Sequence, residues 1–562
     1  MQNDVIMKKS LFFCIFFLYL TSIFAQTIET EQYNIPVLTH KETNHLIRVR
    51  ILKPQDQTCS LQSLNISFKG TSNINNIEAV AFYAEKNDKE LDPEQKWAET
   101  TNIRPNTTLL TNLTLDKDTI IGWISVKLSN LTDLSHHITA NLINATFSTQ
   151  KKAVKPTNLS LSSLNIHRIG VAVRQSGQDG ICGSRIPGLI TTKNGTLIAV
   201  FSMRKYSYID LPNDVDVGIT RSFDKGKTWQ PVQKIIDMGT YGGLPEKYNG
   251  VDDPSILVDR QTGDIFVLGI WQHGVIDPDN GQWVEGLTES SEVWNNPWNP
   301  NGSKPGYDPN QTSQVVMVKS SDDGATWSEP QNITRQLKKE EWCLFSPCPG
   351  RGITLDDGTL VFPIQGKEND GTPFSTIAWS KDHGQTWHDG NAAFHNTLEC
   401  SVVQLSDGSL MLNMREKGNR GRHADCHNGR VVAVSQDLGQ TWTSHPTSFG
   451  ALTEPTCMAS LYKPENPNNT KPILLFFNPN STLYRHNLTL KVSFDDGNTW
   501  PSMFWKNLDE WIGNGYSCIT TVDDNTIGIL FEGSQADLQY MQLSMDEILT
   551  PEYRTKGTLR IK

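Results

Sequence analysis

No cationic excess marks this chain. Its 50 lysines and arginines fall short of its 61 aspartates and glutamates, for a formal net charge of −11. That balance argues against a partner gripped through phosphates, so no nucleic acid is expected. There is no Cys-x-x-Cys pair, and Cys343 and Cys348 have no nearby His pair, so a structural zinc is not expected. The apolar run Leu11–Leu20 is ten residues long, too short for a stable bilayer span. No membrane span is expected from it.

That short run does suit an export signal. Lys8 and Lys9 precede it, and Ile23-Phe24-Ala25 follows as a cleavage site. Residues 1–25 are therefore expected to be a signal peptide, and the protein to be secreted, periplasmic or held at the cell surface. Eight of the nine cysteines remain once Cys14 is removed, an even number that permits disulfides without requiring them.

A chain of 562 residues calls for two or more domains. Over residues 27–150, LIRVRI, SLNISF, AVAFYA and GWISVKL place apolar side chains on alternate positions, the period of strands with one buried face. A small β-sandwich is expected there. The polar stretch 151–164, with Pro156, reads as a linker.

From residue 165 to 562 a repeat takes over. SFDKGKTW, SSDDGATW, SKDHGQTW, SQDLGQTW and SFDDGNTW begin at Ser222, Ser320, Ser380, Ser435 and Ser493, at intervals of 98, 60, 55 and 58 residues. Between them lie short strand-like runs such as TLIAVFS, DGTLVFPI, GSLMLNM and PILLFF. A β-rich period of this length points to a propeller of four-stranded blades, and six blades fit the length. The long first interval holds an insertion around Asn295–Asn310. Asp and Gly suit a tight turn, and the Trp is expected to pack that turn onto its own blade. The repeat reads as structural. The fold class expected is all-β, a six-bladed β-propeller preceded by a small β-sandwich.

The repeats resemble the Asp boxes of sialidases, and SRIPGLITTKNGTLIAVF, with Arg-Ile-Pro ahead of a strand and upstream of the first repeat, is similar to the entry motif of that family. The resemblance extends in order over about residues 165–545 and implies a retaining exo-α-sialidase acting on sialylated glycoproteins, glycolipids or oligosaccharides, with no metal and no organic cofactor. Residue by residue, it makes Arg185, Arg415 and Arg485 the three arginines that grip the substrate carboxylate, a role suited to planar guanidinium forks. Tyr516 corresponds to the nucleophile, Glu399 to its partner base and Asp210 to the general acid/base, chosen over the neighbouring Asp214 and Asp216. Sialidases are the tyrosine exception among glycosidases. Glu532 corresponds to the carboxylate that holds Arg185. Arg204 and Asp253, the latter preferred to Asp252 because it precedes Pro254, correspond to pocket residues near the C4 side of the substrate. Trp271 is placed near the N-acetyl pocket.

Two departures stand out. Ser184 occupies a position often aromatic in the family, and the loop after Arg415 carries His423, Cys426 and His427, a set open to reading as a metal site but read here as a rim loop. A trans-sialidase, or a non-catalytic sialic-acid-binding adhesin on the same scaffold, are the alternative functions. The N-terminal domain resembles a carbohydrate-binding module, with a packing platform as the alternative.

Overall fold

The alternation in LIRVRI becomes the strand Asn44–Leu52, where Leu46, Val49 and Ile51 are buried while Arg50 faces out. Further along the chain the strands are instead buried on both faces, as in Leu197–Arg204 and Leu360–Lys367, and the molecule is all-β. The structure, a computed structural model, describes residues 26–53, 58–86, 90–150, 152–160, 166–418, 428–464 and 472–552. The expected signal peptide therefore lies outside the described residues, as do His423, Cys426 and His427. Among the described residues no helix is long and apolar enough to cross a membrane.

The chain divides into two units, with the boundary inside the strand Ile166–Arg174. The first unit contains two sheets. One runs in the order Thr157–Asn158, Thr27–Glu31, Asn44–Leu52, Thr119–Leu128, Ile77–Glu85, Leu91–Thr100. The other joins Asn141–Phe147, Ser60–Ser67 and Asn106–Thr114. Trp123 packs with Ala81, Tyr83 and Leu91. The stretch read as a linker is partly paired: Thr157–Asn158 lies parallel to Thr27–Glu31, and Val154 bridges Ala145. Its backbone groups find ladder partners that composition alone does not reveal.

The second unit contains six sheets, each built on antiparallel neighbours. The first comprises Gly183–Thr191, Leu197–Arg204, Val215–Ser222 and Gln233–Ile236; the second is built on Val251–Val258, Ile265–Trp271 and Gln314–Ser320. The third centres on Leu360–Lys367 and Pro373–Ser380, the fourth on Thr397–Gln404, Leu410–Glu416 and Val431–Ser435. The fifth holds Ser460–Tyr462, Leu474–Pro479, Leu488–Ser493 and Lys506–Asp509. In the sixth, Ser517–Asp523, Thr526–Phe531 and Leu538–Ser544 are completed by Val171–Arg174 from the start of the unit. The leading strand of each sheet touches its counterpart or neighbour in the next, and Gly183–Thr191 touches Ser517–Asp523, so the series returns to its beginning.

The repeated turn has one geometry. In the first copy Ser222 Oγ donates to Asp224 Oδ1 at 2.8 Å, and Gly226 N–H donates to Ser222 Oγ at 2.8 Å. Thr228 gives its N–H to Asp224 Oδ1 at 2.9 Å and its hydroxyl to Asp224 Oδ2 at 2.6 Å. The other four copies repeat all of these bonds. Two successive residues turn left-handed, the glycine and the residue before it, whether that is Lys225, Asp323, His383, Leu438 or Asp496. The Asp is thereby locked as a pure acceptor, and in the Asp322 and Asp382 copies its carboxyl is held down to about 2, by the bonds from threonine and serine.

The tryptophan does more than pack onto its own sheet. Trp229 meets Tyr540 of the sixth sheet edge-on at 5.5 Å, and Trp387 lies between Phe362 of its own sheet and Phe266 of the preceding one. The glycine explains why: a Cβ at Gly226 would sit 2.2 Å from the Tyr540 ring, at Gly324 2.6 Å from Ile198, and at Gly384 2.6 Å from the Phe266 ring. Each of these turns presses into the sheet before it, so the repeat joins neighbouring sheets.

Gly384→Ala meets both a left-handed backbone and the Phe266 ring, whereas Gly195→Ala meets only the backbone cost, with nothing within 4 Å. The former is expected to destabilise by about 2–4 kcal/mol and the latter by about 1 kcal/mol. Urea unfolding monitored by tryptophan fluorescence reads the difference; equal losses would show that the contact between sheets contributes nothing.

Candidate active site

Strand register separates two edges of the sheets. In the first sheet Ser222, which opens a repeated turn, pairs with Leu197 and Leu197 with Thr191, while Arg185 pairs with Ser202 and Arg204 with Val215 at the other edge. The fourth sheet repeats this, with Ser435 opposite Leu410 and Gln404 at the turn edge and Thr397 opposite Glu416 at the other. Tyr516 and Glu532 flank the Ser517–Phe531 pair, and Arg485 lies in the connection beyond the Pro479–Leu488 pair. The residues singled out from the sequence thus occupy the edge opposite the turns.

Bulges aim several of them. The register slips between Arg185 and Gly188, between Asp252 and Ser255, and between Thr397 and Cys400 around Glu399. A bulge leaves a residue unpaired and re-aims its neighbours. Ile186 has φ 62° and Asp253 φ 51°. A β-branched residue held there costs about 1–3 kcal/mol and persists only where its surroundings enforce it.

For Ile186 the enforcing group is Glu532. Its carboxylate accepts from Arg185 Nε and a terminal guanidinium nitrogen, both at 3.0 Å, and from Ile186 N–H at 2.8 Å, with Tyr516 N–H at 3.3 Å. Glu532 is 1% exposed.

Three arginines surround Tyr516. The guanidinium carbons of Arg185 and Arg485 lie 5.5 and 5.4 Å from its ring centroid, and Arg415 donates to its hydroxyl at 3.1 Å. The same Arg415 nitrogen reaches both Glu399 oxygens, at 2.8 and 2.7 Å, and the Tyr516 hydroxyl donates to Glu399. Ile186, Cys457 and Met458 pack around the tyrosine. Among the described residues Arg485 donates only to the carbonyls of Asn514 and Thr456. Among the described residues, then, two carboxylates face three arginines here.

Proton affinities are split. Burial pushes the Tyr516 phenol well above its usual range and the Glu399 charge adds to this, against Arg415 and Arg485. Burial also opposes ionisation of Glu399, but Arg415 and the tyrosine hydroxyl together hold its carboxyl below the usual range. The pair is a neutral phenol bonded to a carboxylate.

A second group adjoins the first. Arg204, 1% exposed, pairs with Asp210 at 2.6 Å and Asp252 at 2.9 Å, and donates to Tyr208 O. Asp210 is well exposed. The carboxyl of Asp253 accepts from Gln365 at 3.1 Å. Burial drives it well above the carboxylate range, with Asp252, Glu399 and Asp210 acting in the same direction, against Arg204. All nine residues therefore fall at one edge in two adjoining groups. Trp271 does not face an open pocket: it is buried in the core between the first two sheets, edge-on to Tyr241 at 4.8 Å. Asp252, set aside in the sequence in favour of Asp253, is the partner of Arg204, and Gln365 carried no signal of its own. The Asp252-Asp253 doublet was a signal, since one of two adjacent carboxylates is free to serve the neighbouring Arg204.

Among the described residues no cluster of His, Cys, Asp and Glu could hold a metal ion. The seven described cysteines are free thiols, with Cys348 and Cys400 sulfurs 3.4 Å apart. The disulfides that the even count permitted are absent among them.

Comparison with known proteins matches residues 25–151 to the N-terminal domain of BNR-repeat neuraminidase and residues 212–529 to a BNR repeat-like domain. A sialidase of Bacteroides fragilis (strain YCH46) is 38% identical over 577 aligned residues, covering 97% of this chain and 100% of its own length. A sialidase of Micromonospora viridifaciens is 31% identical, over 64% of this chain and 51% of that one. Among solved structures, the Hadza microbial sialidase Hz136 superposes with a TM-score of 0.80 at 34% identity, covering 93% of this chain and 100% of that one.

The depressed Glu399 value carries a stability consequence. Its stabilisation is present above the unfolded glutamate value, about 4.3, and is lost as pH falls through the lower folded value. Glu399→Gln is expected to flatten that acid limb in a pH series of thermal melts. A limb unchanged from the parent protein would remove the Glu399–Arg415 pair as its source.

Proposed function

The chain belongs to the bacterial sialidases with BNR repeats, hydrolases acting on sialic acid, and from that premise we propose that it is a retaining exo-α-sialidase using Tyr516 as nucleophile, Glu399 as its base and Asp210 as acid/base. The carrying observation is the convergence of Arg185, Arg415 and Arg485 on a tyrosine whose hydroxyl is bonded to a buried carboxylate. Three arginines against two carboxylates leave a cationic site that favours an anion. The sialic acid carboxylate, on the reacting carbon, meets that requirement.

In the first step Tyr516 Oη bonds to the anomeric carbon as its proton passes to Glu399. The bond to the glycosidic oxygen breaks, and that oxygen takes a proton from Asp210. In the second, Asp210 removes a proton from water, the water oxygen bonds to the same carbon, and Tyr516 leaves with the proton returned by Glu399. Two displacements retain configuration. A neutral phenol suits the task because a carboxylate nucleophile would meet the substrate carboxylate at close range. The exposure of Asp210 suits a group that meets the leaving oxygen in the first step and the incoming water in the second. Asp253, whose carboxyl is pushed well above the carboxylate range by burial, meets a hydroxyl on the sugar beside Arg204.

The same reading takes the six sheets as the blades of a propeller closed by Val171–Arg174, the repeated turns as Asp boxes, and the first unit as a sandwich of carbohydrate-binding kind. The leader in residues 1–25 would export the protein to the periplasm, cell surface or medium, where sialylated glycoproteins, glycolipids and oligosaccharides occur.

Tyr516→Phe is expected to lower kcat by about a thousandfold or more, while calorimetry still detects sialic acid binding. Turnover within tenfold of the parent would overturn the nucleophile. NMR of the first sugar released from an α-sialoside is expected to show the α anomer; β anomer first would overturn retention. Lactose added to the same assay separates hydrolysis from transfer.

A further inference from the structure

The long connection from Trp271 to Gln314 leaves the second sheet at the edge that carries the candidate site. It is built to hold one side chain out. Asn295, 1% exposed, donates to Ile276 O at 2.9 Å and its own carbonyl accepts from Gln272 at 3.2 Å. Asn296 donates to Leu211 O at 2.9 Å. Lys367, 2% exposed, has no carboxylate partner among the described residues and gives its ammonium to the carbonyls of Pro297 and Asn299, both at 2.8 Å. Burying an ammonium to fasten a loop is costly, and the loop is fixed accordingly. Yet Trp294, next to these anchors, is 45% exposed. Its indole Nε1 donates to Asp210 O at 3.4 Å.

From this geometry we infer that the Trp294 ring is the platform for the sugar that leaves, the residue to which sialic acid is linked. The inference rests on the reading of Asp210 as the acid. If Asp210 protonates the glycosidic oxygen, the departing sugar lies against the Asp210 segment, and Trp294 is bonded to that segment. The indole N–H is already engaged by Asp210 O, so the ring offers an apolar face with no further donor. The occupant is therefore a neutral hexose presenting its C–H face, and the charged sugar stays with the arginines. Immobilisation of the ring in advance lowers the ordering cost of binding. Trp294 thus acts on which linkages and acceptor sugars the enzyme handles.

The test compares two substrates. Sialyllactose leaves a sugar; sialyl fluoride leaves an ion that needs neither platform nor proton. Trp294→Ala is expected to lower kcat/KM for sialyllactose about tenfold or more beyond any loss on sialyl fluoride, and Trp294→Phe to keep most of the sialyllactose rate. Equal losses on both substrates would overturn the platform and leave Trp294 as a prop for the Asp210 segment. Equal losses in the Ala and Phe variants would overturn it too, by assigning the effect to the indole N–H. Asp210→Asn reports on the acid separately. That variant should fail on sialyllactose yet still give a burst of fluoride from sialyl fluoride, its second step being slowed, and a parent-like rate on sialyllactose would sink the acid while the Trp294 ratio still decides the platform.

Discussion

The carboxylate of Glu532 is the constraint on which the site depends. It bonds Arg185 through two nitrogens, the Ile186 N–H at a left-handed bulge, and the Tyr516 N–H. These groups come from strands at opposite ends of the second unit, and Arg185 and Glu532 are 347 residues apart in sequence. One buried charge thereby joins the end of the series of sheets to its beginning, aims an arginine at the ring of Tyr516 and offsets the strain at Ile186. Because the carboxylate is buried, loss of one partner would leave a charge uncompensated, a far larger penalty than loss of an exposed pair.

The electrostatics of the centre follow from that fixed geometry. Arg185 has Glu532 and Arg415 has Glu399, but among the described residues Arg485 has only backbone carbonyls. In the adjoining group Asp210 and Asp252 outnumber Arg204, but the group around Tyr516 is short of one anion. Tyr516 does not supply it, because burial and Glu399 keep the phenol protonated. On the proposed reading the missing charge comes with the ligand. A residue kept neutral beside a cationic cluster is thus selective in a way a third carboxylate would not be, since that carboxylate would satisfy Arg485 from within.

Much of this was legible in sequence, for identifiable reasons. The repeated turn is local: serine, aspartate, glycine and threonine within seven residues make the bonds that recur in all five copies, which therefore declare one geometry. The strands between them show as short apolar runs bounded by turns. What escaped is what depends on distant partners. That Gly226 and Gly384 admit the rings of Tyr540 and Phe266 from the preceding sheet is invisible to spacing. Trp271 sits in an apolar run with the look of a pocket wall, but its sheet turns it into the core. Asp252 and Asp253 are adjacent, and only the slip in register decides that Asp252 takes Arg204 while Asp253 turns toward Gln365. The pairing of Thr157–Asn158 escaped because a polar, proline-bearing stretch carries no alternation to betray an edge strand.

The separation of edges explains how one scaffold carries both rigidity and reactivity. The repeated turns satisfy nearly every polar group they contain, and their aspartates are locked as acceptors by threonine and serine. A carboxylate that accepts three such bonds, and whose proton affinity they lower, is ill suited to acid–base chemistry. At the other edge the balance is reversed: a guanidinium nitrogen of Arg415 and one of Arg204 are buried without acceptors, Asp210 is exposed, and Ile186 and Asp253 hold uncommon backbone angles. Such unsatisfied and strained groups are tolerable only on a framework whose stability is secured elsewhere. The turns help secure it by pressing into the sheet before, as at Gly226, Gly324 and Gly384, without contributing a side chain to the opposite edge. A change in a turn should accordingly act through folding, and a change at the opposite edge through binding and rate.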